Sequence, residues 1–261
     1  MLKFKGVALA GLAVVALASP LGAQSAAVPA PTAVPMIDQL EPEAEAALAR
    51  MGAALRAMNS YEVRADWSKE AVFPGNVKLL RAGTSTITVQ MPDRMLVDTV
   101  SDRSHRKFYF DGKKLTVVGV NIGKYVSFPV SGSLEDVLTT AADDYGIDFP
   151  LRDLFLWGSP QSDTERPTGG FRVGDATVDG VKVGHYVFRQ SGVDFQVWLE
   201  DGAQALPRRM VITNTENAAQ PQFIVNYHWN RAPQIAADSF TFTPGPNDKL
   251  VDFGTAKLTA K

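Results

Sequence analysis

The chain has 261 residues, 45% of them hydrophobic, and a formal net charge of -2. Its acidic and basic residues nearly balance and no run of Lys or Arg occurs, so it lacks the positive field that attracts nucleic acid or anionic lipid. It contains no cysteine, which excludes disulfides and the lipid-bearing thiol of a bacterial lipoprotein, and the fold must rely on a hydrophobic core.

The N-terminal segment has the pattern of a secretory signal peptide. Two lysines precede an apolar run at 6–18, a Ser-Pro pair interrupts that run, and small residues follow to Ala23. The run is shorter than the roughly 20 residues of a membrane-spanning helix, which favours cleavage after Ala23 over retention as an anchor. We therefore assign residues 1–23 to a cleavable signal peptide and expect a periplasmic protein.

A tether and an amphipathic helix come next. Residues 24–41 are rich in Pro and Ala and are typical of an extended linker. Pro42 suits the first turn of a helix, and acidic residues surround it near the positive end of the helix dipole. Apolar residues then recur at helical spacing: Ala44, Leu48, Met51, Leu55 and Met58.

From Tyr61 onward the apolar period changes to the alternation of β-strands. About ten such segments follow, separated mostly by short turns such as the Asp-Gly pairs at 111–112 and 179–180. Strands joined by short turns pair antiparallel, so we predict one up-and-down sheet with a single apolar face. The last strand is assigned to Phe240 and Phe242, and residues 249–261 to a poorly anchored tail.

A helical insertion interrupts the strands. Ser133, with Asp136 three residues later, predicts a capping box, and Gly146 suits a left-handed helix end. A second, shorter helix is predicted to begin at Pro150 and is unusually apolar. Its large apolar residues are Leu154, Phe155 and Trp157. Three helices are too few to be crossovers of a parallel sheet, so we expect them to cover one face.

Six short segments carry a resemblance to a known superfamily: 91–94 (MPDR), 108–115 (FYFDGKKL), 125–129 (YVSFP), 133–154, 197–199 (VWL) and 206–208 (LPR). In these segments and in the order of its parts, the chain resembles the bacterial lipoprotein carriers and receptors of LolA/LolB-like fold. It is most similar to a family of predicted periplasmic proteins of unknown function within that superfamily. The resemblance implies a mainly β fold, an incomplete antiparallel β-barrel (half-barrel) over residues 42–248, with helices plugging its concave face.

The resemblance also implies a ligand site. In the carriers, the half-barrel and its helical lid enclose an apolar cavity for acyl chains. The corresponding lid residues here are Leu154, Phe155 and Trp157. The corresponding wall residues are Trp67, Met95, Val97, Phe188 and Trp198. A barrel arginine holds the carriers' lid closed, and the candidates for that role here are Arg81 and Arg94.

The sequence shows no catalytic or metal-binding pattern. His105, His185 and His228 fall in separate predicted strands without metal-site spacing. Four acidic residues surround the helical insertion: Asp143, Asp144, Asp148 and Asp153. Carboxylates grouped in this way could perform acid–base chemistry or hold calcium, but no EF-hand pattern is present, and helix dipoles and solvent explain Asp148 and Asp153. No nucleophile elbow or phosphate-binding loop is present. We therefore predict no catalytic residue, no metal and no cofactor.

The predicted function is that of a periplasmic binding or carrier protein for an apolar ligand, a lipid or acylated protein, held between the curved sheet and the lid. The protein is expected to be a monomer that binds no nucleic acid. Two alternatives stay open. The same fold could be a protein-interaction or stress-signalling module of the cell envelope, with a filled core and an exposed apolar patch. A hydrolase would need His185 or His228 within reach of both a serine and an acid.

Overall fold

A computed structural model of the chain describes residues 37–147, 149, 151–157 and 166–252. The predicted signal peptide, the tether up to residue 36 and the predicted helix start at Pro150 lie outside these residues. The described helices are α1 (Pro42–Arg56), α2 (Leu134–Asp143) and α3 (Asp153–Leu156). The described strands are β1 (Ser60–Phe73), β2 (Val77–Gln90), β3 (Arg94–Ser101), β4 (His105–Phe110), β5 (Lys114–Gly119), β6 (Lys124–Pro129), β7 (Gly169–Val178), β8 (Val181–Gln190), β9 (Val193–Glu200), β10 (Pro207–Asn214), β11 (Gln222–Asn230) and β12 (Lys249–Leu250).

The described strands form one open sheet, in the order β12-β6-β5-β4-β3-β2-β1-β11-β10-β9-β8-β7. Every neighbouring pair among them is antiparallel except β12 with β6. Strands β12 and β7 are the two edges, and the segment before α1 covers part of β7 through a bridge between Leu40 and Gly170. The predicted fold class, a mainly β half-barrel with helices, is confirmed.

Helix α1 lies on the sheet through small residues. It begins at Pro42, as predicted, and buries Ala44, Ala47 and Met51 completely. Alanines on the buried stripe allow the helix backbone to approach the strands closely, and Met51 fills the space between them. Leu55 of the predicted stripe is also buried, whereas Leu48 and Met58 only border the core.

Helix α2 begins and ends as its sequence predicts. Asp136 N donates to Ser133 Oγ (3.2 Å) and Ser133 N donates to Asp136 Oδ2 (3.0 Å), which is the predicted capping box of α2. Gly146 adopts φ +62°, and its N–H donates to Ala142 O (3.0 Å) to close the end of the helix. Helix α3 is a single turn. It starts soon after Leu151, whose φ of +62° is unusual for a residue with a side chain.

The hydrophobic core fills the concave face of the sheet. The alternating residues that point inward from β1, β3 and β9 are buried: Tyr61, Val63, Ala65, Met95, Val97, Phe195, Val197 and Leu199. Strand β2 is one continuous 14-residue strand that passes through Gly83. A Cβ on Gly83 would lie 2.5 Å from Trp67 Cζ2 and 2.4 Å from Val100 O, so the glycine makes room for the Trp67 ring.

The C-terminal part of the sheet differs from the prediction. Phe240 and Phe242 belong to irregular chain, not to a strand, and the Phe242 ring contacts Tyr109 and Tyr125 with centroids 5.5 and 5.0 Å apart. Lys249 and Leu250, assigned to a loose tail, form β12 instead, with Lys249 N donating to Gly123 O (2.9 Å). A two-residue parallel pairing leaves no periodic signal in the sequence.

Candidate functional site

An apolar pocket of about 130 Å³ lies between the three helices and the neighbouring ends of β1 and β2. Its lining residues are Leu55, Arg56, Tyr61, Met91, Pro92, Ser133, Leu134, Glu135, Leu154, Phe155 and Trp157. Most of these side chains are apolar, and the charged groups come from α1 and α2. The site therefore suits an uncharged, hydrophobic group with one polar edge.

All three predicted lid residues line this pocket. Leu154 and Phe155 are buried, and Trp157 is half-buried. The Trp157 ring contacts Phe195 on β9 (centroids 5.6 Å apart), and Phe195 in turn stacks on Phe188 of β8 (4.9 Å, 20° between planes). An aromatic series thus connects the residue after α3 to the inner face of the sheet. Whether these side chains contact a ligand stays a prediction.

The predicted wall residues do not line the pocket. Met95, Val97 and Phe188 do lie on the concave face, but each is completely buried. Trp67 is half-buried at the border of the core, where its Nε1 donates to Ser85 Oγ (3.0 Å). These four side chains belong to the packed inner face of the sheet, whereas the pocket described above lies under the helices.

Trp198 lies on the opposite face of the sheet, so its predicted place in the cavity wall is wrong. It alternates with Val197 and Leu199, which point inward. Its ring stacks on His185 (4.0 Å between centroids, 8° between planes), and Arg209 lies 5.7 Å above it. Partial burial in this stack lowers the pKa of His185, which a hydrogen bond to Gln196 opposes. The strand period alone excludes Trp198 from the inner face.

Arg56, which sequence reasoning did not single out, joins the three helices at the pocket. Its Nη1 donates to Trp157 O (3.3 Å) and lies 4.0 Å from Glu135 Oε1. Neither arginine proposed as a lid-holding residue lies at the pocket: Arg81 and Arg94 are both exposed strand residues. The sequence signal that could have identified Arg56 is its place in the last turn of α1, where a basic residue lies close to the negative end of the helix dipole.

Burial affects two titratable groups of the pocket lining. It raises the pKa of Glu135, with a further increase from Asp136 and an opposing decrease from Arg56. Burial also raises the pKa of Tyr61 above its usual range, so the phenol is neutral at physiological pH. The Tyr61 ring lies against Trp229 (centroids 5.6 Å apart). Burial thus favours the neutral form of both the Tyr61 phenol and the Glu135 carboxyl.

Each of the three histidines has a polar side-chain partner. His228 Nε2 lies 3.1 Å from Asp66 Oδ2, and His105 Nε2 lies 2.8 Å from Asp98 Oδ1. Within the described parts of the chain, neither His185 nor His228 has a serine hydroxyl at hydrogen-bond distance. Among the same residues, no group of three or more His, Asp or Glu side chains could hold a metal ion.

The chain is distantly similar to several solved structures, and three of these are covered over nearly all of their own length. LprF from Mycobacterium bovis is 14% identical, with 77% of this chain and 99% of LprF covered at a TM-score of 0.47. An uncharacterized conserved protein from Thermus thermophilus is 11% identical (80% and 98% covered, TM-score 0.46). The LolA superfamily protein NE2245 from Nitrosomonas europaea is 10% identical (76% and 97% covered, TM-score 0.37).

Comparison with curated proteins gave no significant match. No helix in the described ranges has the length and apolar character needed to cross a bilayer. The profile of one family, described as predicted periplasmic protein (DUF2092), matches residues 44–254. This match includes nearly all of α1, the whole sheet and the helical insertion. The chain therefore belongs to DUF2092, a family of predicted periplasmic proteins.

Proposed function

We propose that this protein binds an apolar ligand, the acyl chain of a lipid or of an acylated protein, beneath α3, and leaves it chemically unchanged. The observation that carries the proposal is the apolar pocket covered by a single helical turn, whose Leu154 and Phe155 side chains are buried on it. A ligand that replaces these two side chains would keep the surface beneath α3 shielded from water.

The size of the pocket indicates that α3 must move for binding. At about 130 Å³ it resembles a cavity of about 150 Å³ that accommodates benzene, whereas ligand sites usually measure about 300–1,000 Å³. The closed pocket therefore has room for the end of an acyl chain only. Displacing Leu154, Phe155 and Trp157 would extend the pocket toward Phe195, which the Trp157 ring contacts.

Helix α3 is weakly held. Its described backbone bonds run from Leu154 N to Leu151 O and from Phe155 N to Arg152 O, both 3.0 Å. The left-handed backbone of Leu151 costs about 1–2 kcal/mol and is relieved if the segment opens. Exposing two buried apolar side chains costs about 1.5–3 kcal/mol each, so opening costs about 1–5 kcal/mol once the relieved strain is subtracted. Each buried ligand methylene contributes about 0.8 kcal/mol, so at most about six methylenes offset the opening.

The experiment is native mass spectrometry combined with organic extraction, on protein recovered from the periplasm without detergent. We expect a co-purifying lipid, or uptake of added palmitic acid or phosphatidylglycerol. The double variant Phe155→Asp/Trp157→Asp should lose this ligand. The control Ile122→Asp, at an apolar side chain that is 69% exposed and does not line the pocket, should keep it. A ligand-free mass with no uptake by wild type would contradict the proposal.

A second candidate is a protein-interaction module of the cell envelope on the same fold. The observation that favours it is the filled concave face, where Met95, Val97 and Phe188 are completely buried. A core packed in this way stabilises the sheet as a rigid surface and leaves little space for cargo. The mass measurement separates the two candidates, because this one requires wild-type protein to stay free of lipid.

A further inference from the structure

The hairpin of β1 and β2 extends beyond the strands on either side of it. The two strands pair from Ser60 with Gln90 to Phe73 with Val77. Strand β11 pairs with β1 only as far as Lys69, and β3 pairs with β2 only from Gly83. Residues 70–82 therefore project as a two-stranded arm, by roughly 14 Å for four residues at about 3.4 Å each. We call this segment, together with Lys69 at its base, the arm.

The arm exposes large apolar side chains. Every residue from 73 to 82 is exposed. Leu80 is 67% exposed, Val77 54%, Phe73 43% and Leu79 41%. An isolated two-stranded hairpin has no hydrophobic core of its own, so the exposed parts of these side chains contribute no burial energy to the fold. Four large apolar residues on one projection form a surface that favours contact with another apolar phase.

The same hairpin carries an excess of cations. Residues 69–82 contain Lys69, Lys78 and Arg81 against the single acid Glu70, a net charge of +2 in a chain whose net charge is -2. Lys78 is paired with Glu70 (3.0 Å), which lowers the pKa of that carboxyl. In the described parts of the chain, Lys69 and Arg81 have no acidic partner, yet they face each other across the two strands. Directly opposed like charges destabilise a hairpin, and an anion placed between them would relieve the repulsion.

The pairing register puts three of the four apolar residues on the same face as Lys69 and Arg81, whereas Leu80 lies on the other face, opposite Glu70. From the tip inward the cross-strand pairs are Phe73 with Val77, Ala71 with Leu79, and Lys69 with Arg81. Residues two apart on a strand share a face, so the cations lie roughly 14 Å behind the tip. Apolar groups at an interface enter the headgroup and acyl boundary by about 5–10 Å. The cations then stand at the level of the lipid phosphates.

We propose that the arm docks the protein on an anionic phospholipid bilayer, with the apolar tip in the interface and Lys69 and Arg81 on the lipid phosphates. The site cannot be recognised from the sequence alone, because Lys69 and Arg81 are twelve residues apart and form no basic run. The pairing of β1 with β2 brings the two cations together. The absence of a basic run therefore does not exclude anionic lipid, contrary to the expectation from sequence. Docking is independent of the proposed ligand site, whose lining includes no arm residue.

The test is flotation with vesicles of phosphatidylethanolamine and phosphatidylglycerol, against vesicles of phosphatidylcholine. The protein is recovered from the periplasm and its N-terminus is established by mass, so that all variants carry the same N-terminal segment. We expect wild type to prefer the anionic vesicles, and added salt to weaken binding. Lys69→Gln/Arg81→Gln and Leu79→Ser/Leu80→Ser should each reduce binding by about tenfold. Ile122→Ser, at an equally exposed apolar residue, should bind like wild type.

Two results would overturn the proposal. One is that wild type binds both kinds of vesicle equally or binds neither, in which case a protein would be the partner of the arm. The other is wild-type binding by both arm variants. Equal thermal unfolding of all variants shows that they are folded.

A separate fluorescence measurement tests whether the tip enters the bilayer. The variant Phe73→Trp should gain a fluorescence contribution that brominated phosphatidylglycerol quenches. A lack of additional quenching would contradict insertion of the tip.

Discussion

Arg56→Met should loosen the cover of the pocket without unfolding the protein. Arg56 donates a hydrogen bond of 3.3 Å to Trp157 O and lies 4.0 Å from Glu135. A hydrogen bond that involves a charged group contributes about 1.5–3 kcal/mol when buried. The Arg56 side chain is 36% exposed and the bond is long, so about 1 kcal/mol is the reasonable figure after solvent screening. The population with α3 open should then rise about fivefold, because 1.4 kcal/mol corresponds to tenfold.

Hydrogen exchange followed by mass spectrometry measures this opening directly. The amides of Leu154 and Phe155 should lose about fivefold in protection in the variant, while those of β1 and β3 keep theirs. Arg50→Met on the same helix is the matched control, because Arg and Met have similar helix propensity and Arg50 is not part of the pocket lining. Unchanged exchange at α3 in Arg56→Met, or an equal change in Arg50→Met, would refute the role of Arg56.

Three further predictions follow from single residues. Because burial raises the pKa of Glu135, ionisation of this carboxyl opposes folding. Glu135→Gln should therefore stabilise the protein at neutral pH. Its higher unfolding temperature relative to wild type should shrink as the pH falls through the raised pKa toward the unfolded value of 4.5. Gly83→Ala should destabilise by about 1–3 kcal/mol in urea unfolding, since its Cβ would lie 2.4 Å from Val100 O. Phe188→Ala should lower the free energy of unfolding in urea by about 3–5 kcal/mol, whereas Trp198→Ala, on the outer face, should lower it less. Equal decreases in the two variants would contradict the assignment of these residues to opposite faces.

Local signals predicted much of the fold. The capping box at Ser133 and the left-handed end at Gly146 are properties of four or five consecutive residues, and both are confirmed. The Asp-Gly pair at 179–180 joins β7 to β8 with both residues at positive φ, as a tight hairpin requires. Alternation of apolar residues similarly identified the strands and, through them, the antiparallel sheet.

The misassigned features depend on contacts between distant residues. β12 pairs with β6 across more than a hundred residues, and two residues carry no period. The hydrogen bond from Arg56 to Trp157 likewise spans 101 positions. Alternation shows which face a residue occupies but not whether that face is filled, which is why Met95 and Val97 were expected to line a cavity and are in fact solid core. Trp198 is different, because its own alternation with Val197 already excluded it.

The pocket and the arm lie at opposite ends of the same hairpin. Tyr61 at the start of β1 and Met91 just after β2 line the pocket, whereas Phe73 and Val77 form the tip of the arm. Twelve residues separate Tyr61 from Phe73, or roughly 40 Å along the strand, and the half-buried Trp67 ring lies over Gly83 between them. A bilayer that holds the tip therefore does not reach the pocket, so docking and ligand loading should be separable. We expect Leu79→Ser/Leu80→Ser to keep its co-purified ligand while losing vesicle binding, and Phe155→Asp/Trp157→Asp to show the reverse. Joint loss of both properties in either variant would show that one surface serves both roles.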